Sequence, residues 1–229
     1  MKIRMREEKV ELFNGQENLS LLHISDIHVW FSSRILNELK RIIFKVSPEL
    51  IILTGDYYDT PKGAYLFKSF LSEVANSFTI VFIRGNHDFL WGKKVFNLLL
   101  DIPNCFYVGD ALYSFISRKG NKYNIGAWKH RGLFQSKSHE KNIMLVHNPG
   151  KLIPDGLRHI NLVLAGHLHG GQFIFFTYKK SHYPGSFIYK HCTDRKQLND
   201  TTLIVSKGIG DTFPFRFNCP KEVVRITIE

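Results

Sequence analysis

Residues 50–59 read LIILTGDYYD, a run of four apolar residues followed by a turn-forming glycine and two aspartates. A short apolar run bounded by polar and turn-forming residues is typical of a buried β-strand. The same pattern occurs upstream, where Leu21–Ser25 precedes Asp26, and downstream, where Thr79–Ile83 precedes Arg84–Asp88. These stretches predict three short strands, each of which ends in polar residues.

The segments between these strands have the apolar spacing of amphipathic helices. The apolar positions are Ile35, Leu36, Leu39, Ile42, Ile43 and Val46 in the first segment, and Leu66, Phe67, Phe70, Leu71 and Val74 in the second. The order β-α-β-α-β predicts an α/β fold, in which ligands bind beyond the carboxyl ends of the strands. We therefore expect Asp26, Asp56 and Asn86 to lie close together.

The second half of the chain has fewer helical patterns. We predict strands at Ile143–Val146, Leu162–Ala165, Thr202–Val205 and Val223–Ile228. We predict a long exposed loop at residues 178–197, because this basic stretch contains Pro184 and Gly185 and shows little periodicity. No linker, repeat or low-complexity tract divides the sequence, so we expect residues 1–229 to form a single domain.

Seven residues after the predicted strands carry atoms that bind metals: Asp26, His28, Asp56, Asn86, His147, His167 and His169. In an extended chain, residues two apart point the same way, so Asp26 and His28 can face one site, and so can His167 and His169. Carboxylate, imidazole and amide donors suit Mn, Fe or Zn better than Ca. Seven donors are too many for one ion, whereas two divalent ions that share a bridging carboxylate can use them. Such pairs of ions recur in phosphoryl hydrolysis.

The charge balance favours partners that carry phosphate. Lysines and arginines total 31 against 20 aspartates and glutamates, a formal net charge of +11, which attracts nucleotides, nucleic acid or an anionic membrane face. Three scattered cysteines fit a reducing compartment. No apolar run approaches the roughly 18 residues of a membrane-spanning helix, and no secretory signal is expected at the N-terminus. We expect a cytoplasmic monomer, with peripheral contact at the inner face of the membrane as an alternative.

Five short sequence signatures resemble those of the calcineurin-like metallophosphoesterase superfamily, both in their order along the chain and in their residue types. They are Asp26-Ile27-His28, Gly55-Asp56-Tyr57-Tyr58-Asp59, Gly85-Asn86-His87-Asp88, Val146-His147-Asn148 and Gly166-His167-Leu168-His169-Gly170-Gly171-Gln172. Three later segments, Val205–Gly210, Pro214–Asn218 and Pro220–Val223, together with His169–Gln172, are similar to the YkuE/YaeI-like bacterial branch, which includes UDP-2,3-diacylglucosamine hydrolase-type members.

This resemblance implies a fold and a role for each matching residue. The implied fold is two mixed β-sheets packed as a sandwich and flanked by helices. Asp26, His28 and His169 would hold the first metal, Asp56 would bridge both metals, and Asn86, His147 and His167 would complete the second. His87 would act on the substrate as a catalytic acid, and we expect Asp88 to orient it and raise its pKa. We expect Asp59 to hold a loop or a histidine.

The function we expect from this resemblance is a dinuclear-metal-dependent phosphoester hydrolase. In the expected mechanism, a metal-bridging hydroxide attacks phosphorus in line and His87 protonates the leaving oxygen. The expected substrate is a small or lipid-linked molecule, which the enzyme would cleave as a phosphodiesterase or a pyrophosphohydrolase. One alternative is a metal-dependent nuclease of the same superfamily, because phosphate contacts dominate nucleic-acid affinity. Another is a non-catalytic scaffold that binds a protein.

The apolar segment Phe173–Tyr178, which Lys179 and Lys180 follow, has two interpretations. We favour a core strand followed by a solvated pair of lysines. The alternative is a ledge that faces the lipids of an anionic membrane.

Overall fold

The computed structural model describes residues 2–137, 139–211, 213 and 215–229, so Pro214 of the predicted segment Pro214–Asn218 lies outside the described residues. Within the described part, two six-stranded sheets and one two-stranded hairpin form the β-structure. The strands are β1 (Arg4–Val10), β2 (Leu19–Ile24), β3 (Leu50–Leu53), β4 (Thr79–Phe82), β5 (Cys105–Tyr107), β6 (Tyr113–Ile116), β7 (Lys122–Ala127), β8 (Glu140–Val146), β9 (Leu162–Ala165), β10 (Ile174–Tyr178), β11 (Ser181–Pro184), β12 (Arg195–Leu198), β13 (Thr201–Val205) and β14 (Glu222–Ile228). The α-helices are α1 (Arg34–Val46), α2 (Pro61–Ala75), α3 (Lys93–Asn97) and α4 (Gly185–Ile188).

Both large sheets are mixed, as predicted. The first has the order β1-β14-β2-β3-β4-β5, and the second has the order β12-β13-β9-β8-β7-β6. Strands β2 to β5 run parallel to one another in the first sheet, and β14 runs antiparallel to β2. Strands β7, β8, β9 and β13 run parallel in the second, and both edge strands are antiparallel.

The strand register brings the polar residues to one end of the sandwich. Ile24 pairs with Leu53, and Leu53 pairs with Phe82, so β2, β3 and β4 end side by side. In the second sheet, Val146 pairs with Ala165. The residues that follow these five strands therefore leave the two sheets at neighbouring positions.

Three apolar layers hold the sheets and their covers together. The middle layer packs residues of the first sheet, such as Leu21 and Ile52, against residues of the second, such as Ile143 and Leu164. The outer face of the first sheet packs on α1, α2 and α3. The outer face of the second sheet is covered by residues of loops and short 3₁₀ turns, such as Leu152. Burial of these apolar faces is the main force that stabilises the sandwich.

The first two helices begin and end where the sequence provides local signals. The side chain of Thr60 caps α2, because its Oγ1 accepts a hydrogen bond from the N–H of Gly63 at 2.9 Å, and Pro61 occupies the first turn. Helix α1 ends at Val46, and Ser47 caps it in the left-handed conformation before Pro48.

The prediction of a long exposed loop at residues 178–197 is wrong. The segment contains β11, the short helix α4 and most of β12. Contacts with residues outside the segment hold it to the rest of the molecule: the N–H of Val205 donates to the carbonyl of Asp194 at 3.0 Å, and the Asp194 carboxylate pairs with Lys207. Such contacts between distant residues leave no local periodicity, so the sequence pattern could not reveal them.

The prediction of a core strand at Phe173–Tyr178 is also wrong. Strand β10 lies outside both large sheets, and among the strands that the structure describes it pairs only with β11. Only Ile174 of this strand is buried, and the four residues after it are exposed. In the described part of the chain, none of the helices has the length and hydropathy that a bilayer-crossing segment needs.

Candidate metal centre

Five of the seven predicted ligands follow the strands in strained backbone conformations. Asp26, His28, Asp56, His167 and His169 have φ angles of 51°, 50°, 58°, 71° and 48°. Left-handed angles are uncommon for residues other than glycine and carry a conformational cost. The expectation that the i and i+2 residues converge through an extended chain is therefore wrong. Tight left-handed turns direct these side chains instead.

One cluster contains Asp26, His28 and His169, as the resemblance implied. One candidate ligand atom from each residue lies within 4.8 Å of the others. His169 Nε2 and Asp26 Oδ1 are 3.7 Å apart, although the two residues are far apart along the chain. All three residues are buried.

A second cluster contains Asp56, His147 and His167, whose candidate ligand atoms also lie within 4.8 Å of one another. His147 Nε2 lies 3.1 Å from Asp56 Oδ2 and 3.1 Å from His167 Nδ1. The side-chain oxygen of Asn86 lies 3.0 Å from His147 Nε2, which places Asn86 in the same group.

The Asp56 carboxylate lies between the two clusters. Its Oδ2 is 3.1 Å from His147 Nε2 in one cluster and 3.8 Å from His28 Nε2 in the other. Its Oδ1 accepts a hydrogen bond from the backbone N–H of His87 at 2.8 Å. One carboxylate is therefore positioned to serve both groups, which a bridging ligand requires.

The side chains present fit a pair of divalent ions. Three histidines place Nδ1 against an oxygen: His28 against Asp59 at 2.9 Å, His147 against the Thr54 carbonyl at 2.8 Å and His169 against the Gly210 carbonyl at 3.2 Å. Such contacts fix the ring so that Nε2 is free to bind a metal. The Nε2 of His28 is buried and has no hydrogen-bond partner among the described residues. An unpaired buried nitrogen is costly unless a ligand satisfies it.

Burial and neighbouring polar groups shift the pKa values of these residues in different directions. Burial alone would raise the pKa of Asp56, but His147 and the N–H of His87 lower it to about 2. Burial opposes charge on His147, yet the neighbouring carboxylates raise its pKa to about 9. Burial lowers the pKa of His169 to about 4. A metal that binds His147 must therefore displace a proton, which makes metal binding weaker at lower pH.

His87 is oriented by Asp59 and not by Asp88, which corrects the predicted pairing. His87 Nδ1 lies 2.7 Å from Asp59 Oδ1, and this contact is the main cause that raises the pKa of His87. Asp88 is fully buried, and its carboxylate accepts backbone N–H bonds from Gly85, Asp56 and Tyr57 at 2.7, 2.9 and 2.8 Å. Asp88 therefore holds two strand-end loops together.

Asp59, His28 and His87 form a third group whose candidate ligand atoms are close together. The Asp59 carboxylate contacts Nδ1 of both histidines, and the two rings meet edge to face with centroids 4.7 Å apart. His28 directs its other nitrogen towards Asp56. The group therefore connects one predicted ligand with the predicted acid, which agrees with the expectation that Asp59 holds a histidine.

Two of the glycines in the signatures pack directly on the central carboxylates. A Cβ atom at Gly166 would lie 2.4 Å from Asp26 Oδ2 and 1.9 Å from Ser25 Oγ. A Cβ atom at Gly85 would lie 2.1 Å from Asp56 Oδ1. Neither distance is compatible with a side chain, so glycine is required for the carboxylates to occupy these positions.

Sequence analysis missed the role of the loop after β13. Gly208 packs on Asp26, and Gly210 packs on the ring of His28 while its carbonyl contacts His169. Arg216 donates to the same Gly210 carbonyl and lies 3.3 Å from His169 Nδ1. The spacing of the glycines in this loop was the available sequence signal, but glycines alone do not indicate a ligand or a reaction.

Two cavities adjoin the centre. A cavity of about 590 Å³ lies beside His28. Its lining is mostly apolar and includes Trp30, Phe31 and Ile35, with four charged residues, Arg34, Glu38, Asp211 and Lys221, in the rest of the wall. A smaller cavity of about 210 Å³ lies beside His147. Its lining includes three basic side chains and two aromatic rings, contributed by Arg84, Lys129, Lys151, Tyr107 and Trp128. The two cavities thus meet different clusters and differ in polarity.

The chain is similar in sequence to known metallophosphoesterases. The sequence model of the family described as Calcineurin-like phosphoesterase matches residues 19–171. The uncharacterized metallophosphoesterase Cj0846 of Campylobacter jejuni is 28% identical over 96% of this chain and 62% of its own length. The uncharacterized metallophosphoesterase YkuE of Bacillus subtilis is 26% identical over 94% of this chain and 81% of its own length. This chain therefore spans less than two thirds of the Campylobacter relative.

The fold also resembles solved structures. The structure of TT1561 from Thermus thermophilus superposes with a TM-score of 0.54 at 12% identity, over 83% of this chain and 90% of that chain. At this level of identity, the similarity concerns the fold alone.

Proposed function

We propose that this chain, which belongs to the calcineurin-like phosphoesterase family and to the bacterial branch that includes YkuE, is a metal-dependent phosphoesterase. We propose that it hydrolyses a phosphodiester or a pyrophosphate of a small or lipid-linked molecule. We further propose that residues 1–229 act as one domain and as a monomer. The observation that carries the substrate class is the pair of cavities that adjoin the two clusters.

The two cavities fit a substrate with groups on both sides of the scissile phosphorus. A diester or pyrophosphate carries two such groups, whereas a monoester carries only one. The cavity beside His28 offers Trp30 and Phe31 to an apolar group. The cavity beside His147 offers Arg84, Lys129 and Lys151 to an anionic group.

The seven predicted ligands would hold two divalent ions: Asp26, His28, Asp56, Asn86, His147, His167 and His169. Mn²⁺ is the first choice for this mixed set of donors, with Fe and Zn as alternatives. When bound, such a pair supplies an activated water and neutralises charge on the phosphoryl oxygens. Asp56 would bridge the pair, because its Oδ2 lies close to a histidine of each cluster.

His87 is suited to protonate the leaving oxygen. Its ring is partly exposed at the centre. Because the Asp59 carboxylate binds Nδ1, Nε2 is the nitrogen available to contact a substrate. Asp59 holds the ring and favours its protonated form, because this contact raises the pKa of His87. A proton on Nε2 passes to the leaving group, and a general acid of this kind contributes about 10²- to 10⁴-fold to the rate.

A substrate panel with added Mn²⁺ tests the proposal. The panel contains an aryl monoester, an aryl diester, a nucleoside-diphosphate-linked lipid and single-stranded DNA. We expect the diester and the diphosphate to be cleaved faster than the monoester. A monoester that is cleaved as fast as the diester would contradict the proposed substrate class. DNA cleavage with a steep salt dependence would favour the nuclease.

Variants of residues that line the two cavities test which substrate group each cavity binds. Trp30→Ala should raise KM for the lipid-linked substrate more than KM for the aryl diester, because only the lipid fills the apolar cavity. Lys151→Ala should raise KM for the diphosphate. Lys45→Ala changes an exposed lysine at the end of α1 and serves as the matched control.

A further inference from the structure

An exposed aromatic surface lies next to the metal centre and takes no part in the chemistry described above. We define this aromatic surface by the exposed side chains of Phe175, Phe176, Tyr178, Phe187, Ile188, Tyr189, Phe213, Phe215 and Phe217. Phe187 and Ile188 on α4 are 75% and 76% exposed. Large apolar side chains at this exposure are unfavourable in water when they form a contiguous patch, and such patches mark interaction sites.

The rings of this surface form two packed groups, one that includes Phe175 and one that includes Phe176. The rings of Phe175 and Phe217 have centroids 5.6 Å apart, and the rings of Phe176 and Tyr183 stack at 4.9 Å. Tyr183 in turn meets Phe187 at 4.9 Å. The hairpin β10-β11 and helix α4 therefore share one group of packed rings, and the segment around Phe217 joins the second group through Phe175.

Backbone contacts join the aromatic surface to the metal centre. The N–H of Ile174 donates to the carbonyl of Phe217 at 2.9 Å, and the N–H of Phe217 donates to the carbonyl of Gln172 at 2.9 Å. The amide of Gln172 bonds both the N–H and the carbonyl of Phe213. Gln172 is three residues after the predicted ligand His169, so the surface begins at the edge of the centre.

The charge around the aromatic surface is positive. Lys179, Lys180 and Lys190 are exposed beside the rings, and Lys179 lies 5.4 Å from the centroid of Tyr178. Residues 173–193 contain no aspartate or glutamate. Asp211, which precedes the segment that carries Phe213, Phe215 and Phe217, forms an ion pair with Arg216. The surface therefore complements an anionic partner.

We propose that the aromatic surface docks on the interface of an anionic lipid bilayer. Aromatic rings with adjacent lysines suit this interface, where the rings enter the headgroup region and the amines meet anionic lipids. A single-stranded nucleic acid could also stack on rings, but aliphatic Ile188 and the close packing of the rings against one another favour lipid. The proposal stands apart from the proposed substrate, because it concerns where the chain lies and not what it cleaves.

Flotation with lipid vesicles tests the docking. The protein is mixed with vesicles of phosphatidylcholine alone and with vesicles that also contain phosphatidylglycerol, without any substrate. We expect binding to the anionic vesicles and a loss of that binding in high salt. Replacing Phe187 and Ile188 by serine should weaken vesicle binding about tenfold or more. Lys179→Gln with Lys180→Gln should weaken it about thirtyfold.

Matched variants on the opposite edge of the second sheet serve as controls. Ile116→Ser removes an exposed apolar side chain of β6, and Arg118→Gln with Lys119→Gln removes an adjacent basic pair. These controls should bind vesicles as the unchanged protein does. Turnover of a soluble aryl diester should be unaltered in all of the variants, because none lies in the centre.

Three results would overturn the proposal. The first is an unchanged protein that stays unbound with anionic vesicles. The second is a loss of binding in the control variants as large as the loss in the aromatic variants. The third is single-stranded DNA that binds in place of vesicles and depends on Phe187 and Ile188. The rate of aryl diester hydrolysis, measured on the same samples, tests the proposed function independently of vesicle binding.

Discussion

His87 Nδ1 lies 2.7 Å from Asp59 Oδ1, and the same carboxylate contacts Nδ1 of His28 at 2.9 Å. One side chain thus orients both a predicted metal ligand and the predicted acid. Metal binding and proton transfer are consequently linked through Asp59, and variants of these residues should separate the two roles.

His87→Ala should bind two ions and lose about 10²- to 10⁴-fold in turnover, because it removes only the proton donor. Asp56→Ala should lose metal, because Asp56 is the carboxylate that lies between the two clusters. The measurement is metal content by elemental analysis alongside the rate for each variant. Full turnover in His87→Ala, or two ions in Asp56→Ala, would be inconsistent with these roles.

Asp88→Ala should destabilise the fold. Three buried backbone N–H groups would lose their acceptor, at a cost of about 1–3 kcal/mol for each one left unpaired. Urea unfolding measures the loss, and Asp101→Ala at an exposed position is the control. If Asp88 acted chiefly through His87, the variant would unfold normally and lose only turnover.

Gly166→Ala should weaken metal binding about tenfold or more, because the new Cβ would displace Asp26 from its position. Gly132→Ala is a suitable control, since a Cβ at that residue meets no atom within 4 Å. Titration of the metal-free proteins with Mn²⁺ gives the two affinities. Equal affinity in both variants would show that the packing of Gly166 on Asp26 is unimportant.

Glu17 should contribute stability that is lost in acid. Its carboxylate accepts hydrogen bonds from Asn18, Ser117, Asn121 and Tyr123 at 2.7 to 3.1 Å. Burial alone would raise the pKa of Glu17, but these bonds lower it below its usual value. The stabilisation is therefore complete above the pKa of the unfolded chain and is lost as pH falls through the lower folded pKa.

Glu17→Gln tests that expectation. The variant should be less stable at neutral pH by about 1–3 kcal/mol, and its stability should depend less on pH in the acid range. Unfolding curves at several pH values provide the comparison, with Glu11→Gln at an exposed position as the control. An unaltered acid dependence would argue against a lowered pKa.

Local sequence patterns were sufficient for central strands of both large sheets and for the first helix. The apolar runs at Leu50–Leu53 and Leu162–Ala165 form strands at the predicted bounds, and the helical spacing after Ser33 corresponds to α1. These elements bury continuous apolar faces, so their sequence patterns reflect the packing. The candidate ligands also converge, because parallel strands with matching register end at one edge.

The features that sequence missed depend on contacts between distant residues. β1 pairs in parallel with β14, more than two hundred residues later, and its alternate residues are too polar to indicate a core strand. Asp59 reaches His87 through a turn that no spacing rule predicts. The exposure of β10 results from its position outside both large sheets, whereas its composition indicates a core.

Crystals soaked in Mn²⁺ and measured by anomalous diffraction would locate the ions themselves. We expect two peaks, one among Asp26, His28 and His169 and one among Asn86, His147 and His167, with the Asp56 carboxylate bound to both. A single peak, or a peak between Asp59 and His87 in place of either, would contradict a bridged pair of ions.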